Sequence, residues 1–362
     1  MAENAADDHE AKEIQPRSPF KEFAEILNPL FWADDFNRAD RLLEFVCTLV
    51  RAAGLEDTGW DSYQESLTLL EDLKRLWSLD LSKETFPGPD NTRMRLYLIS
   101  YCHVTEMNLP YELMANLLRL RLGRKYAIEP FGHLYRKPNK KSKAPSFMQE
   151  RRSPSPEAKI KEIEKLSQEA GLPGVGVALR SVYDSVIRNA VYHSDYVLHD
   201  GSMRLLSTYR KSKRENVMTT RVPFDELSES LEETFAFFSA LIVLYNRAKS
   251  SFKGFHHSML PFDAHYKGLL ELTFDGNELT GFRAYWPNKS LSIYARTKNG
   301  CMAQNITFEA DGSINFMVGL YASSPGTFSP LVERDAEPIY PVIPGTDVRP
   351  YWPAELKPYC AY

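Results

Sequence analysis

The sequence predicts an α+β protein, mainly an α-helical bundle followed by a C-terminal domain rich in antiparallel β-strands. Between residues 20 and 252, apolar residues recur at the three- and four-residue spacing of amphipathic helices. After about residue 260 the apolar period changes to two, and Asp-Gly or Asn-Gly pairs separate short apolar runs. A run of helices followed by a run of strands is typical of the α+β class.

The composition indicates a folded protein of the cytoplasm. The chain has 362 residues, of which 43% are hydrophobic, so it is long enough for two domains. No apolar run reaches membrane-spanning length, and the acidic start lacks the basic and apolar regions of a signal peptide. The four cysteines form no Cys-x-x-Cys pair, which favours a reducing compartment. We expect a cytoplasmic location, no membrane association, no metal and no cofactor.

The punctuation of the chain predicts four regions. They are a disordered tail at 1–19, an N-terminal helical region at 20–90, a second helical domain at 91–255, and a β-rich domain with a proline-rich tail at 260–362. The second region contains a basic linker or loop at 136–156 and a hairpin at 196–222, whose turn we assign to Asp200-Gly201.

Within these regions the pattern predicts individual elements. Asn91 or Thr92 is a suitable N-cap for a helix, residues 174–195 read as one helix with Val186 on its inward stripe, and residues 225–252 form the longest helix. Five strand candidates follow, which we expect to form one meander: 269–274, 280–285, 291–295, 303–308 and 314–318.

The segment 188–193, which reads RNAVYH, carries the strongest chemical signal. RNA supplies its own nucleophile, the 2′-hydroxyl, so cleavage needs a base, an acid and positive charge on the phosphate. Histidine exchanges protons near neutral pH, and arginine offers a planar cationic fork for phosphate oxygens. We therefore expect His193 to act as general acid/base, Arg188 to stabilise the phosphate, and Asn189 to orient the phosphate or the imidazole through its amide.

The spacing of the triplet predicts where these side chains point. Asn189 and His193 are separated by four residues and lie about 40° apart on a helix, whereas Arg188 and His193 lie about 140° apart. One helix therefore makes a poor complete site. Two copies related by a two-fold axis make a better one, so we expect a homodimer with residues 188–193 at the interface.

The stretch 187–196 ends a predicted core helix and is followed by a hairpin and a long helix. In this arrangement, over roughly residues 90–252, the chain resembles the HEPN superfamily. Its members are α-helical bundles, and many are ribonucleases of toxin–antitoxin, abortive-infection and CRISPR systems. Their Arg-x(4–6)-His motif commonly has a polar residue after the Arg.

The resemblance implies a HEPN-like fold at 91–255 and a metal-independent endoribonuclease site at Arg188, Asn189 and His193. It further implies a dimer that leaves a 2′,3′-cyclic phosphate, a role in bacterial defence or stress response, and an antitoxin or regulatory protein as partner.

Other residues near the triplet are candidates for RNA binding. The net charge is −4, so nucleic-acid contacts must come from local basic patches. One is the basic linker. The other lies within the hairpin, which directly follows the triplet, so its cations and aromatics could guide RNA toward the cleft. The candidate substrate-binding residues are Tyr192, Tyr196, Arg204, Arg210, Lys211, Lys213 and Arg214.

Structural explanations compete with each functional one. Arg188 can pair with an acid such as Asp184, Asn189 can cap a helix end, and His193 can hydrogen-bond locally. The tyrosines can serve in packing, and both basic patches can be solvated surface. The rival functions are a non-catalytic HEPN module that binds RNA or a protein, and a scaffold whose β-rich domain carries the interaction.

Overall fold

The structure is a computed structural model, and it describes most of the chain in separated stretches. The described residues are 18–31, 41–52, 62–77, 79, 88–135, 153–205, 220–255, 259–263, 267–286, 291–297, 300–309 and 313–316. Several predicted features lie outside them: nearly all of the disordered tail at 1–19, the basic linker at 136–156 except its last residues, and the proline-rich tail.

The described part of the chain is helical first and β-rich afterwards, which confirms the mixed helix-and-strand prediction. The helices are α1 (Pro19–Phe31), α2 (Leu42–Val50), α3 (Ser62–Trp77), α4 (Pro89–Glu106), α5 (Asn108–Arg121), α6 (Pro156–Glu169), α7 (Pro173–Ser181), α8 (Ser185–His193) and α9 (Phe224–Ser251). The long helix predicted at 225–252 is α9. No helix in the described stretches is both long and apolar enough to cross a membrane.

The prediction of one helix over 174–195 is wrong, because the helical conformation is interrupted between α7 and α8. Asp184 has an extended backbone, and its carboxylate accepts from the amides of Val186 and Ile187, so a new helix starts there. The interruption also changes which residues of α8 face the core. Ile187 and Ala190 are buried, whereas Val186, which was predicted to be buried, is 36% exposed.

The predicted start of α4 is also wrong, because the residue before the helix is Gly88, three or four residues ahead of the predicted cap. The helix begins at Pro89, directly after Gly88. Gly88 has a φ of 70°, a left-handed conformation that glycine adopts without steric cost. Proline suits the first helical turn because its missing N–H has no partner there anyway. Asn91 and Thr92 therefore lie inside the helix and do not cap it.

Three short antiparallel strands follow α8. They are β1 (Tyr196–His199), β2 (Ser202–Leu205) and β3 (Thr220–Pro223), in the order β1-β2-β3. Asp200 and Gly201 both have positive φ, which is the geometry of a tight hairpin turn, so the predicted turn is confirmed. β3 leads straight into α9.

The C-terminal strands form a five-stranded antiparallel meander and a separate pair. The meander consists of β4 (Met259–Asp263), β5 (Lys267–Asp275), β6 (Glu278–Tyr285), β7 (Leu291–Thr297) and β8 (Gly300–Gln304), and the pair is β9 (Ile306–Phe308) with β10 (Ile314–Phe316). The strand predicted at 303–308 is thus two strands, divided at Asn305, whose φ is 54°. β4 was not predicted.

Two buried clusters organise the described residues. The larger one runs from α1 and α2 through α5, α7 and α9 into the meander, so helices and sheet share it. Phe45 of α2 packs against Phe252 after α9, and Tyr245 of α9 donates to the carbonyl of Leu49 at 2.6 Å. The smaller cluster joins α4, α8, the hairpin and the start of α9, and it supports the segment 188–193.

Candidate functional site

The position of α8 is fixed at its first turn by hydrogen bonds between Tyr101 of α4 and Asp184, the residue that precedes α8. The Tyr101 hydroxyl accepts from the Asp184 amide at 2.7 Å and donates to the Asp184 carbonyl at 3.1 Å. The Asp184 carboxylate at the same time caps α8. The start of α8 is therefore attached to α4 through the hydroxyl of a buried tyrosine.

The Arg188 side chain lies against α4 and is held on three sides. Its Nε donates to Glu106 Oε1 at 2.8 Å, and Nη2 donates to the same oxygen. Nη1 donates to Asn189 Oδ1 at 2.9 Å. The guanidinium carbon lies 4.5 Å from the centre of the Tyr192 ring, in a cation–π contact. The fork is therefore oriented before any ligand arrives.

Asn189 and His193 lie on a different side of α8 from Arg188. Together with Val186 they follow the i, i+3, i+7 spacing of one exposed stripe, next to the side of the helix that carries the buried Ile187 and Ala190. His193 is the last residue of the helix, before Ser194 turns the backbone with φ 55°. Asn189 connects the two sides, since it is exposed and also touches Arg188.

Arg188 donates a hydrogen bond to Asn189, whereas His193 makes no hydrogen bond to either residue. Within the described residues no hydrogen bond or ion pair involves His193. Arg188 and His193 thus belong to one short helix but lie on different sides of it, as their angular separation predicts.

Burial decides which groups around Arg188 carry charge. It raises the pKa of the Cys102 thiol to about 12, although the nearby Arg188 acts in the opposite direction. It also raises the pKa of Tyr192, and the Glu106 carboxylate adds to that rise. Burial by itself lowers the pKa of Arg188, but the hydrogen bond and the electrostatic attraction from Glu106, with smaller contributions from Tyr183 and Tyr192, together outweigh it, and the pKa is raised. Cys102 and Tyr192 are therefore neutral at pH 7, and Arg188 is charged.

The remaining candidate residues differ in their location and exposure. Tyr196 is half-buried against the smaller cluster. Arg204 is exposed on β2, directly opposite Val197 of β1. The other basic candidates, Arg210, Lys211, Lys213 and Arg214, lie outside the described residues.

Sequence reasoning missed two residues at this site and misassigned a third. It offered Asp184 as the partner of Arg188, but Asp184 is engaged in capping α8, and Glu106 holds the arginine instead. Glu106 and Tyr101 lie more than 80 residues before their partners. The only available signal was their place on a predicted helix, because pairing between helices leaves no mark in local spacing.

The described residues contain no group of three or more His, Cys, Asp or Glu side chains that could hold a metal ion. No protein-family model, curated protein or solved structure matches this chain. The function must therefore be inferred from the chemistry of these side chains.

Proposed function

We propose that the protein is a metal-independent endoribonuclease of the HEPN type. The observation that carries the proposal is the pre-oriented Arg188 fork, with Asn189 bonded to it, on the same short helix that ends in the exposed His193. A cation and amide donors beside a proton-exchanging imidazole are the groups that phosphodiester transfer to the 2′-hydroxyl requires.

In the proposed reaction His193 takes the proton of the 2′-hydroxyl, and the 2′-oxygen forms a bond to phosphorus. Arg188 and the Asn189 amide stabilise the charge on the phosphate oxygens during this step. The bond from phosphorus to the 5′-oxygen breaks, and that oxygen receives a proton from a second acid. The products are a 2′,3′-cyclic phosphate and a 5′-hydroxyl.

A second copy of the chain supplies the second acid. His193 does not meet Arg188 within one protomer, so a site with two imidazoles needs another α8. Exposed apolar side chains surround this helix: Tyr192 is 50% exposed, and Val186, Val197 and Ile99 are also exposed. Apolar side chains on the surface around a helix are suited to an interface. We infer a homodimer with α8 at its two-fold axis.

A non-catalytic HEPN module is the second candidate, and Glu106 favours it. In the free protomer this carboxylate already neutralises Arg188, and their side chains are only 31% and 25% exposed. A surface of that kind suits binding of a protein partner such as an antitoxin without any turnover. Defence or stress response is the biological setting of the proposal in either form.

The test is cleavage of end-labelled RNA by the purified protein in EDTA, comparing wild type with His193→Ala and with His199→Ala as the matched control. His199 is an exposed histidine on β1. We expect cleavage that survives chelation, is lost in His193→Ala and persists in His199→Ala. Equal cleavage by all three proteins contradicts the proposal, and RNA binding without cleavage by any of them supports the binding module.

A further inference from the structure

The outer face of the three-stranded sheet carries a row of two arginines. Val197, Arg204 and Arg221 are direct cross-strand partners on β1, β2 and β3. The alternate residues Leu198 and Met203 are buried in the smaller cluster, so this row faces solvent. Both arginines are exposed.

The arrangement places like charges in adjacent positions. Like charges directly opposite each other on antiparallel strands are destabilising. Asp200 lies 3.6 Å from Arg221 Nη2 and offsets part of that charge. Within the described part of the chain Arg204 has no ion pair. The row therefore has an excess of positive charge that an anion would relieve.

The Arg221 guanidinium is held in place before any anion binds. Its Nε donates to Ser202 Oγ at 2.9 Å, and Nη2 donates to the Asp200 carbonyl at 3.1 Å. Ser202 is itself fully buried and donates to the carbonyl of His199. These contacts fix the plane of the fork against the hairpin and leave Nη1 available.

The row and α8 belong to elements that pack against the same buried cluster. Val197 follows His193 by four residues, and Ile187 and Ala190 of α8 enter the same cluster as the inner face of the sheet. The exposed stripe of α8 and the row therefore both face away from one core. Arg204 and Arg221 lie one and two strands away from Val197. Neighbouring strands in a sheet are about 4.8 Å apart.

We propose that Arg204 and Arg221 form a phosphate clamp that binds the backbone of single-stranded RNA on its way to Arg188 and His193. The inference rests on the proposed function. The outer face of the three strands has no Phe, Tyr or Trp among its described residues, so it offers cations without a stacking platform. Contacts of this kind bind phosphates and do not distinguish bases.

The test measures binding of a fluorescent, non-cleavable 2′-O-methyl RNA strand of mixed sequence across a salt series. The double variant Arg204→Gln/Arg221→Gln is compared with Arg75→Gln/Arg247→Gln, which removes the same charge from exposed positions on α3 and α9. We expect about tenfold weaker binding at low salt for the clamp variant. Its slope of log affinity against log salt should fall by about 1.4, because each single-strand phosphate contact contributes about 0.7.

Two further variants separate the clamp from the nuclease. Arg204→Lys/Arg221→Lys keeps the charge and is expected to keep most of the slope, and His193→Ala is expected to abolish cleavage of unmodified RNA. A clamp variant with the slope of its control, or a wild type without salt-dependent binding, overturns the clamp. Binding that depends on the row in a protein that cuts no RNA supports the clamp and overturns the nuclease.

Discussion

Glu106 and Arg188 are joined across α4 and α8 by two hydrogen bonds to one carboxylate oxygen, with a distance of 2.8 Å from Nε. The cation that we propose for phosphate binding thus already holds an anion from its own chain. A phosphate must compete with that carboxylate, so Glu106 both orients the fork and opposes the ligand.

We predict that Glu106→Gln strengthens binding of the non-cleavable RNA by about 2- to 5-fold. The amide keeps a hydrogen bond to Arg188 but removes the competing charge, and a partly exposed ion pair contributes about 0.5–1 kcal/mol. Anisotropy titration against Glu232→Gln, an exposed acid on α9, gives the comparison at equal net charge. Weaker binding by Glu106→Gln would show that orientation outweighs competition.

We predict that Asp184→Ala lowers the free energy of unfolding by about 1 kcal/mol, because the start of α8 loses a side chain that accepts from two amides. Urea denaturation measures the change. Asp195→Ala, an exposed acid just after the same helix, removes the same charge and is expected to change stability by less than about 0.5 kcal/mol. Similar losses in both variants would contradict a specific cap.

We predict that Tyr101→Phe costs about 1–3 kcal/mol, because the amide and carbonyl of Asp184 lose their buried partner. Tyr196→Phe, in the same cluster, removes a hydroxyl that makes no hydrogen bond within the described residues, and we expect little change. Hydrogen exchange of the α8 amides is the second measurement. Unchanged protection in Tyr101→Phe would contradict the role of this hydroxyl in attaching α8.

We predict that alkaline pH destabilises the wild type more than Cys102→Ala. The folded thiol has a pKa of about 12, and an unfolded thiol has one of about 8.5. Between these values the unfolded chain loses its proton while the folded chain retains it, so the stabilising contribution is complete below pH 8.5 and falls as pH rises.

At pH 10 the difference amounts to about 2 kcal/mol. Urea denaturation of both proteins at pH 7 and pH 10 measures it. The wild type should lose more stability than Cys102→Ala, and other buried groups affect both proteins alike. Parallel losses would mean that Cys102 becomes exposed to water in the folded protein.

Local pattern predicted what local forces determine. The Asp200-Gly201 turn, the long α9 and the change from helices to strands after residue 255 follow from backbone preferences and apolar period. The break between α7 and α8 could not be predicted in this way, because Val182 and Val186 have the four-residue spacing of one continuous helix in the sequence. Asp184 interrupts it, with Tyr101 from another helix bonded to its backbone.

The candidate site divides in the same way. The angle per residue predicted that Arg188 and His193 lie on different sides of α8, whereas the hydrogen bond from Arg188 to Asn189 was not predicted. The carboxylate on Arg188 comes from 82 residues earlier, and the opposition of Arg204 and Arg221 depends on the register of β3. Residue spacing in the sequence could not predict these contacts, because tertiary packing creates them. The catalytic role itself stays a prediction.

The core that helices and meander share bears on how the chain folds during synthesis. α8 and α9 leave the ribosome before β4 to β8, yet α9 buries much of its length in the cluster that those strands complete. Tyr294 of β7 donates to the carbonyl of Arg51 at 3.2 Å, across 243 residues. The helical part therefore exposes apolar surface until translation has delivered the sheet, and a nascent chain stopped at residue 255 is expected to need a chaperone to remain unaggregated.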